Sequence, residues 1–269
     1  MKIIDAHLHI FPDREDALSA CEASCLSGLR GVYEPLDIVH GVVMGNRSLE
    51  VAYHNYPPDR FHYCVGLDSR VLDGGGAGLS DLAGQVERHL RRKCCCGVKL
   101  YPGYNRTALS DPVYEPIYRL AGLYRKPVAV HMGLTAFARA HLQYCHPLAL
   151  DGVAADHPDV EFVMCHFGNP FLESAAAVLV KNPNVSADLS GLLESPLDLD
   201  RYFQEQSGYV SLLQTWLAAS NCWDRLLYGS DWPIVDPAVY VAFVKRLVPP
   251  ARWEAVFFQN ANRIYGLDL

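Results

Sequence analysis

Eight short apolar runs recur along the chain, at 2–10, 37–44, 61–67, 97–101, 127–132, 161–166, 184–189 and 225–231. Hydrophobicity within them is continuous rather than alternating. That is the mark of strands buried on both faces, as in an all-parallel sheet. Segments with helical punctuation lie between them. Asp111-Pro112 and Asp236-Pro237 each offer an N-cap carboxylate followed by a proline at the first helical position, where the missing N–H costs nothing. Residues 171–181, rich in Ala, Leu and Val after a proline, read as a third helix. Before residue 80 the helical signal is interrupted by Pro57-Pro58 and Gly74-Gly75-Gly76, which read as surface loops. Residues 236–247 and 251–264 are predicted to be helices covering the outside. Strand followed by helix, eight times over, predicts an α/β fold: a single-domain, distorted (β/α)8 TIM barrel over residues 1–269 with C-terminal covering helices.

Composition agrees with that picture. A length of 269 residues exceeds a typical domain, yet α/β barrels of this size form around one large core. Half the residues are hydrophobic and no interval resembles a polar low-complexity tract, which argues against disorder. The formal net charge of −7 opposes any general attraction to nucleic acid or to an anionic membrane, so a small-molecule partner is favoured. No apolar run approaches a membrane span, and Asp5, His7 and His9 stand where a signal peptide would need its apolar stretch. A cytoplasmic protein is expected.

Nine cysteines invite a disulfide or zinc reading, but an odd number without an export signal fits reduced thiols better. Cys94-Cys95-Cys96 cannot form a four-ligand cage alone. Neither Cys21 with Cys25 nor His141, Cys145 and His146 has a matching second half at structural-zinc spacing.

The chemistry gathers at the ends of the runs. Desolvating an unpaired charge is costly, so a buried strand has little reason to end in an ionisable residue. Five of the eight do: His7 and His9 close the first, Lys99 sits near the end of the fourth, His131 ends the fifth, His166 the sixth and Asp231 the eighth. His7 and His9 are two apart on a strand, which puts both imidazoles on one face. In a parallel barrel all strand C-termini share one mouth, so residues distant in sequence converge there. Imidazoles with a carboxylate suit a borderline divalent metal, zinc first, with manganese, iron or cobalt as alternatives.

These residues, in this order, resemble a known family. Asp5-Ala6-His7-Leu8-His9, Gly97-Val98-Lys99-Leu100-Tyr101-Pro102, His131, Cys165-His166-Phe167-Gly168 and Tyr228-Gly229-Ser230-Asp231-Trp232-Pro233 resemble the amidohydrolase superfamily, in its amidohydrolase-2 branch. That branch also holds aminocarboxymuconate-semialdehyde-type decarboxylases and several lactonases. The closing Asn260-Ala261-Asn262-Arg263-Ile264-Tyr265-Gly266 is similar to its C-terminal helix. The resemblance implies that His7, His9 and Asp231 hold a metal, with His131 as a further ligand in one-metal members. His166 then stands beside the metal, or ligates a second ion in two-metal members. There a carboxylated lysine at the Lys99 position bridges both ions; an unmodified Lys99 would instead bind a substrate carbonyl or carboxylate. Asp231, His166 and Lys99 are the expected catalytic residues. One ion or two, and the state of Lys99, stay open at this level.

Loops after the strands supply candidate substrate contacts: Asn46 and Arg47 after the second, Tyr104, Asn105 and Arg106 after the fourth, Asn169 after the sixth and Trp232 after the eighth. Either arginine could clamp a carboxylate by two parallel hydrogen bonds. The leading expectation is a metal-dependent hydrolase of a small lactone or amide. Lactone cleavage ranks first because Gly229 to Pro233 resembles the eighth-strand segment of several lactonases. The alternative is a metal-dependent decarboxylase of an unsaturated or aromatic acid. A binding protein on an inactive barrel would have lost a ligand position, and none is lost. The superfamily's deaminases carry other motifs. Family members often form dimers, so a homodimer is the assembly to look for.

Overall fold

In the computed structural model of the chain, residues 1–10, 26–46, 48–67, 72, 81–193 and 198–269 are described. Arg47, Cys21, Cys25 and the glycine run 74–76 lie outside them. The eight apolar runs become eight strands: β1 (Ile3–Leu8), β2 (Ile38–Met44), β3 (Phe61–Leu67), β4 (Cys95–Leu100), β5 (Val128–Val130), β6 (Phe162–Met164), β7 (Val185–Asp188) and β8 (Leu226–Leu227). They pair in sequence order, and every pairing is parallel. The ring is completed where the last strand meets the first: Ala6 N–H donates to the Tyr228 carbonyl at 2.9 Å, His9 N–H to the Trp232 carbonyl at 2.7 Å, and Asp231 N–H to the His7 carbonyl at 2.8 Å. The TIM-barrel expectation is met.

Alternation along the strands sorts side chains into two cores. Ile4, Ala6, Val42, Met44, Cys64, Cys96, Ala129, Val163, Cys165 and Leu227 fill the interior, closed by Ala261, Ile264, Tyr265 and Leu267 from the C-terminal segment. Ile3, Leu8, Val65, Val98, Val128, Val130, Phe162 and Val185 face the surrounding helices. A register shift between Asp5 and Leu8, where β1 runs three residues against two of β2, inverts the phase of the first strand. Ile4 and Ala6 therefore point inward below the shift, and the parity of His7 and His9 is inward above it. Asp5 is buried facing the other way, where its carboxylate accepts from Tyr33 Oη at 2.6 Å, Ser230 N at 2.8 Å and Ser230 Oγ at 2.6 Å. It pins the end of β8 to β1. Burial pushes its carboxyl up to about 6 despite those hydrogen bonds.

The outer helices follow their punctuation, with corrections. Pro237–Leu247 starts where expected, with the Asp236 carboxylate accepting from Ala238 N–H at 2.8 Å. Leu172–Lys181 matches the third prediction. At Asp111-Pro112, however, the Asp111 side chain accepts from Val113 N–H at 3.0 Å and closes a local turn, so the helix begins only at Glu115. The helix expected over 251–264 forms, but not as a regular α-helix: it opens with a 3-10 turn (Pro250–Arg252), carries a π-helical turn (Ala255–Gln259) in its middle and closes as α-helix (Asn260–Ile264). Two helices, Leu199–Glu205 and Ser207–Ser220, fill the long connection between β7 and β8. Among the described residues no helix is long and apolar enough to cross a membrane, and all seven cysteines there are free.

Candidate metal centre

The C-terminal ends of β1, β7 and β8 build the first part of the site. His7 is fully buried, and its Nδ1–H donates to Asp188 Oδ2 at 2.8 Å. This leaves Nε2 buried without any hydrogen-bond partner, 3.5 Å from Asp231 Oδ1. His9 repeats the arrangement at the rim. Its Nδ1 donates to the Met44 carbonyl at 2.9 Å, and its Nε2 lies 3.4 Å from the same Asp231 oxygen. Ligand atoms of His7, His9 and Asp231 all lie within 4.8 Å of one another. Two imidazole lone pairs and a carboxylate oxygen facing one point form a donor set for a borderline divalent cation. The orphaned His7 Nε2 is the observation that fits these residues to such an ion, since a buried acceptor without a partner is costly.

Electrostatics keep His7 and the two carboxylates deprotonated. Burial lowers the His7 imidazole to about 4, against the pull of Asp188. Burial opposes ionisation of Asp188 and Asp231, but the imidazoles beside them hold both carboxyls below the usual carboxylate range. Asp231 takes a left-handed backbone conformation, φ 58°. Gly191 lies against it, also left-handed at φ 61°, and a Cβ there would fall 2.7 Å from His166 Nδ1 and 3.2 Å from Asp231 Oδ2.

The second part of the site comes from β5 and β6. His131 donates from Nε2 to the Leu134 carbonyl at 3.0 Å, and its Nδ1 lies 3.0 Å from His166 Nε2. His166 Nδ1 meets Ser190 Oγ at 2.9 Å, and Ser190 Oγ in turn donates to Asp188 Oδ1 at 2.5 Å. This row, Asp188 to Ser190 to His166 to His131 to the Leu134 carbonyl, begins and ends on acceptors. Four contacts share the three hydrogens of a hydroxyl and two neutral imidazoles, so one contact is a proton short. Burial holds both imidazoles below the ordinary histidine value. His166 Nδ1 also approaches Asp231 Oδ2, at 4.0 Å. The structure thus brings His7, His9 and Asp231 together as one cluster and sets His131 and His166 beside it, bonded to each other.

Lys99 is inward on β4 and wholly buried, with its Nζ donating to Cys165 Sγ at 2.8 Å and lying 5.1 Å from the Tyr101 ring centre. Of the loop residues, Tyr104 packs edge-on to His131 at 4.9 Å between ring centres, and its hydroxyl accepts from Ala136 N–H. Asn105 is buried and holds the Leu67 carbonyl through Nδ2 at 2.6 Å. Arg106 is exposed, with Nε turned to the Arg139 carbonyl at 3.2 Å. Asn169 Oδ1 accepts from Tyr209 Oη at 3.0 Å. Trp232 is buried with its indole N–H unpartnered, and Asn46 is half-buried at the end of β2. Arg47 lies outside the described residues. Asp188 and Ser190 escaped the sequence reading. Asp188 carried a signal: like Lys99, it is an ionisable residue near the end of an apolar run.

A parallel (β/α)8 barrel with a histidine and aspartate cluster at the C-terminal mouth defines a class of metal-dependent enzymes. This chain belongs to the amidohydrolase family, whose sequence model matches residues 4–267. None of the curated proteins compared with it matches. Solved structures do share its fold. An amidohydrolase from Burkholderia multivorans with bound zinc is 18% identical, with 99% of each chain covered and a TM-score of 0.71. A probable 2-pyrone-4,6-dicarboxylic acid hydrolase from Acinetobacter baumannii is 16% identical over 99% of this chain and 100% of that one, at 0.65. A 2,6-dihydroxybenzoate decarboxylase from Rhizobium is 15% identical over 100% of this chain and 99% of that one, at 0.69.

Proposed function

We propose that this protein is a metal-dependent hydrolase of a small cyclic ester or amide, lactones first, with the ion held by His7, His9 and Asp231. The observation that carries the reading is the buried, unpartnered His7 Nε2 facing His9 and an Asp231 carboxylate that stays ionised. A divalent cation there would supply Lewis acidity toward a carbonyl oxygen and toward water, with zinc suited to the imidazole-rich set. The residues handle the proton. Asp231 is the base that takes it from the attacking water and returns it to the leaving group. His166, 4.0 Å from Asp231 and part of the row that is one hydrogen short, can hold that proton between its removal from water and its delivery to the leaving group. Lys99 acts through its charge from beneath the site, because its ammonium is buried against sulfur. Tyr104 and Trp232 line the substrate's place, and Arg106 is a rim residue outside the reacting centre. The hydrolase among the structural neighbours, named for a pyrone, agrees with a lactone substrate.

The His131–His166 pair favours one second reading, decarboxylation of an unsaturated or aromatic acid. A shared proton 3.0 Å across two slightly exposed imidazoles could be delivered to the carbon that loses carbon dioxide. A single assay separates the two. The zinc-loaded protein is offered a panel of lactones, cyclic amides and aromatic carboxylates in D2O containing 18O-water. Hydrolysis puts 18O into a product carboxylate and releases no carbon dioxide. Carbon dioxide release with deuterium on carbon would replace the hydrolase reading with the decarboxylase one. Turnover that survives removal of every divalent ion would reject both.

A further inference from the structure

Beneath the metal cluster, Lys99 and Cys165 face each other across the interior, and neither has any exposed surface. Among the described residues, the Cys165 sulfur is the only hydrogen-bond partner of the lysine nitrogen. No carboxylate among them answers its charge by a salt bridge. The Nζ to Sγ separation of 2.8 Å is a distance typical of nitrogen to oxygen, and sulfur is the larger atom. Other sulfur hydrogen bonds among the described residues are longer: 3.0 Å from Arg225 to Cys222 Sγ, 3.1 Å from Cys222 Sγ to the Ser220 carbonyl, and 3.4 and 3.5 Å for Cys95 and Cys96. Nitrogen and sulfur stand here about as far apart as a single shared oxygen atom would hold them.

We propose that Lys99 and Cys165 are a modification site, joined on oxidation by dioxygen through a covalent Nζ–O–Sγ bridge. The lysine amine loses one hydrogen and the thiol loses its own. One oxygen atom of dioxygen bonds to both nitrogen and sulfur, and the other leaves as water with the two hydrogens. The amine and thiol are oxidised, dioxygen is reduced, and a lysine that begins as ammonium also releases one proton. Dioxygen is small and uncharged, so it can enter a protein interior. The thiol belongs to a group with His7 and Asp188 whose ligand atoms lie within 4.8 Å of one another, directly under the barrel mouth. Geometry favours the bridge over a lone sulfenic acid, because the Lys99 nitrogen stands 2.8 Å from the sulfur, close enough for both to bond one incoming oxygen atom. Attack of the nitrogen on an already oxidised sulfur would instead expel water and leave an N–S bond, a loss of about 2 Da that counts against the bridge.

The bridge has structural consequences. Lys99 pairs with Ala129 of β5, Ala129 pairs with Val163 of β6, and Cys165 follows directly after β6, so the link staples β4 to the end of β6 across the strand between them. It also removes a basic nitrogen from beneath His7 and Asp188. Bridged and open forms therefore present different charge to the metal cluster. This site is independent of whether the enzyme hydrolyses or decarboxylates.

The test is intact-mass spectrometry of the wild-type protein purified in air without reductant, with peptide mapping as the second step. One oxygen gained and two hydrogens lost add about 14 Da. The added mass is expected to map to a linked pair of peptides containing Lys99 and Cys165, and to vanish on treatment with dithiothreitol. Cys165→Ser and Lys99→Arg are each expected to lack it. The proposal is overturned if the wild-type mass is unchanged after exposure to air and Cys165 alkylates fully on denaturation. It is equally overturned if Cys165 gains about 16 or 32 Da while Lys99 stays free. Both readouts come from the wild-type chain, so a variant that fails to fold leaves the test intact.

Discussion

Two corners of one barrel mouth use the same side chains to opposite effect. At the β1–β8 corner, His7 and His9 each tie Nδ1 to a protein acceptor, Asp188 in one case and the Met44 carbonyl in the other. Their Nε2 atoms are left aimed at Asp231. At the β5–β6 corner, His131 ties off Nε2 instead, so its Nδ1 meets His166 Nε2 at 3.0 Å rather than facing Asp231. Histidine content alone does not make a ligand set. Which nitrogen the surroundings occupy decides whether the other faces a cation or a neighbour.

That contrast can be broken most directly at the first corner. His9→Ala removes a metal donor and its hydrogen bond to the Met44 carbonyl, but leaves the His7–Asp188 bond in place. Zinc bound per chain, measured by plasma mass spectrometry, should fall by more than the roughly 10- to 100-fold that loss of an outer-shell partner costs. His131→Ala should keep most of its zinc and lose turnover instead. Equal zinc loss in the two variants would erase the distinction between the corners. Asp188→Asn tests the shared support. It weakens the acceptor that fixes the His7 tautomer, and zinc affinity by competition titration should drop by about 10- to 100-fold.

Gly191→Ala presses on both corners at once. The added methyl would meet His166 and Asp231 on a backbone that left-handed geometry already disfavours for alanine. A stability loss of about 1–3 kcal/mol in urea unfolding is expected, with a sharper loss of turnover. The smallest effect is the pH dependence of the metal-free protein. An unfolded histidine titrates near 6.5, whereas His7 in the fold is held at about 4 and His131 and His166 are also lowered. The unfolded chain therefore binds more protons between those values, and stability is lost as pH falls from 6.5 toward 4. Asp5 runs the other way, since its raised carboxyl stabilises below its folded value of about 6 and loses that contribution as pH rises through it. Lowered His40, His62 and His89 add to the three imidazoles of the site, and the lowered carboxyls of Asp188 and Asp231 act in the same direction, against the raised carboxyls of Asp5 and Glu161, so a net fall in melting temperature on acidification is expected.

Much of this was legible in the chain. Strands buried on both faces leave continuous apolar runs, so all eight strands could be placed, and a histidine pair on an apolar strand marked the first corner. Asp188 stands near the end of the seventh run as Lys99 stands near the end of the fourth, and the same reasoning would have reached it. The Lys99 to Cys165 contact could not be read, because it joins residues 66 apart through the curvature of the barrel. Nor could the phase inversion in β1, which depends on an extra residue opposite β2 that no local pattern announces. Asp111 shows the limit of capping signals: the same side chain caps a helix or closes a turn, depending on the conformation the next residues adopt.

The central claim is that the His7, His9 and Asp231 corner holds the metal. Anomalous diffraction at the zinc edge, on crystals of protein never exposed to chelator, tests it most directly. The account predicts a peak bounded by His7 Nε2, His9 Nε2 and an Asp231 oxygen. A zinc peak elsewhere, with no density between those three side chains, would contradict it.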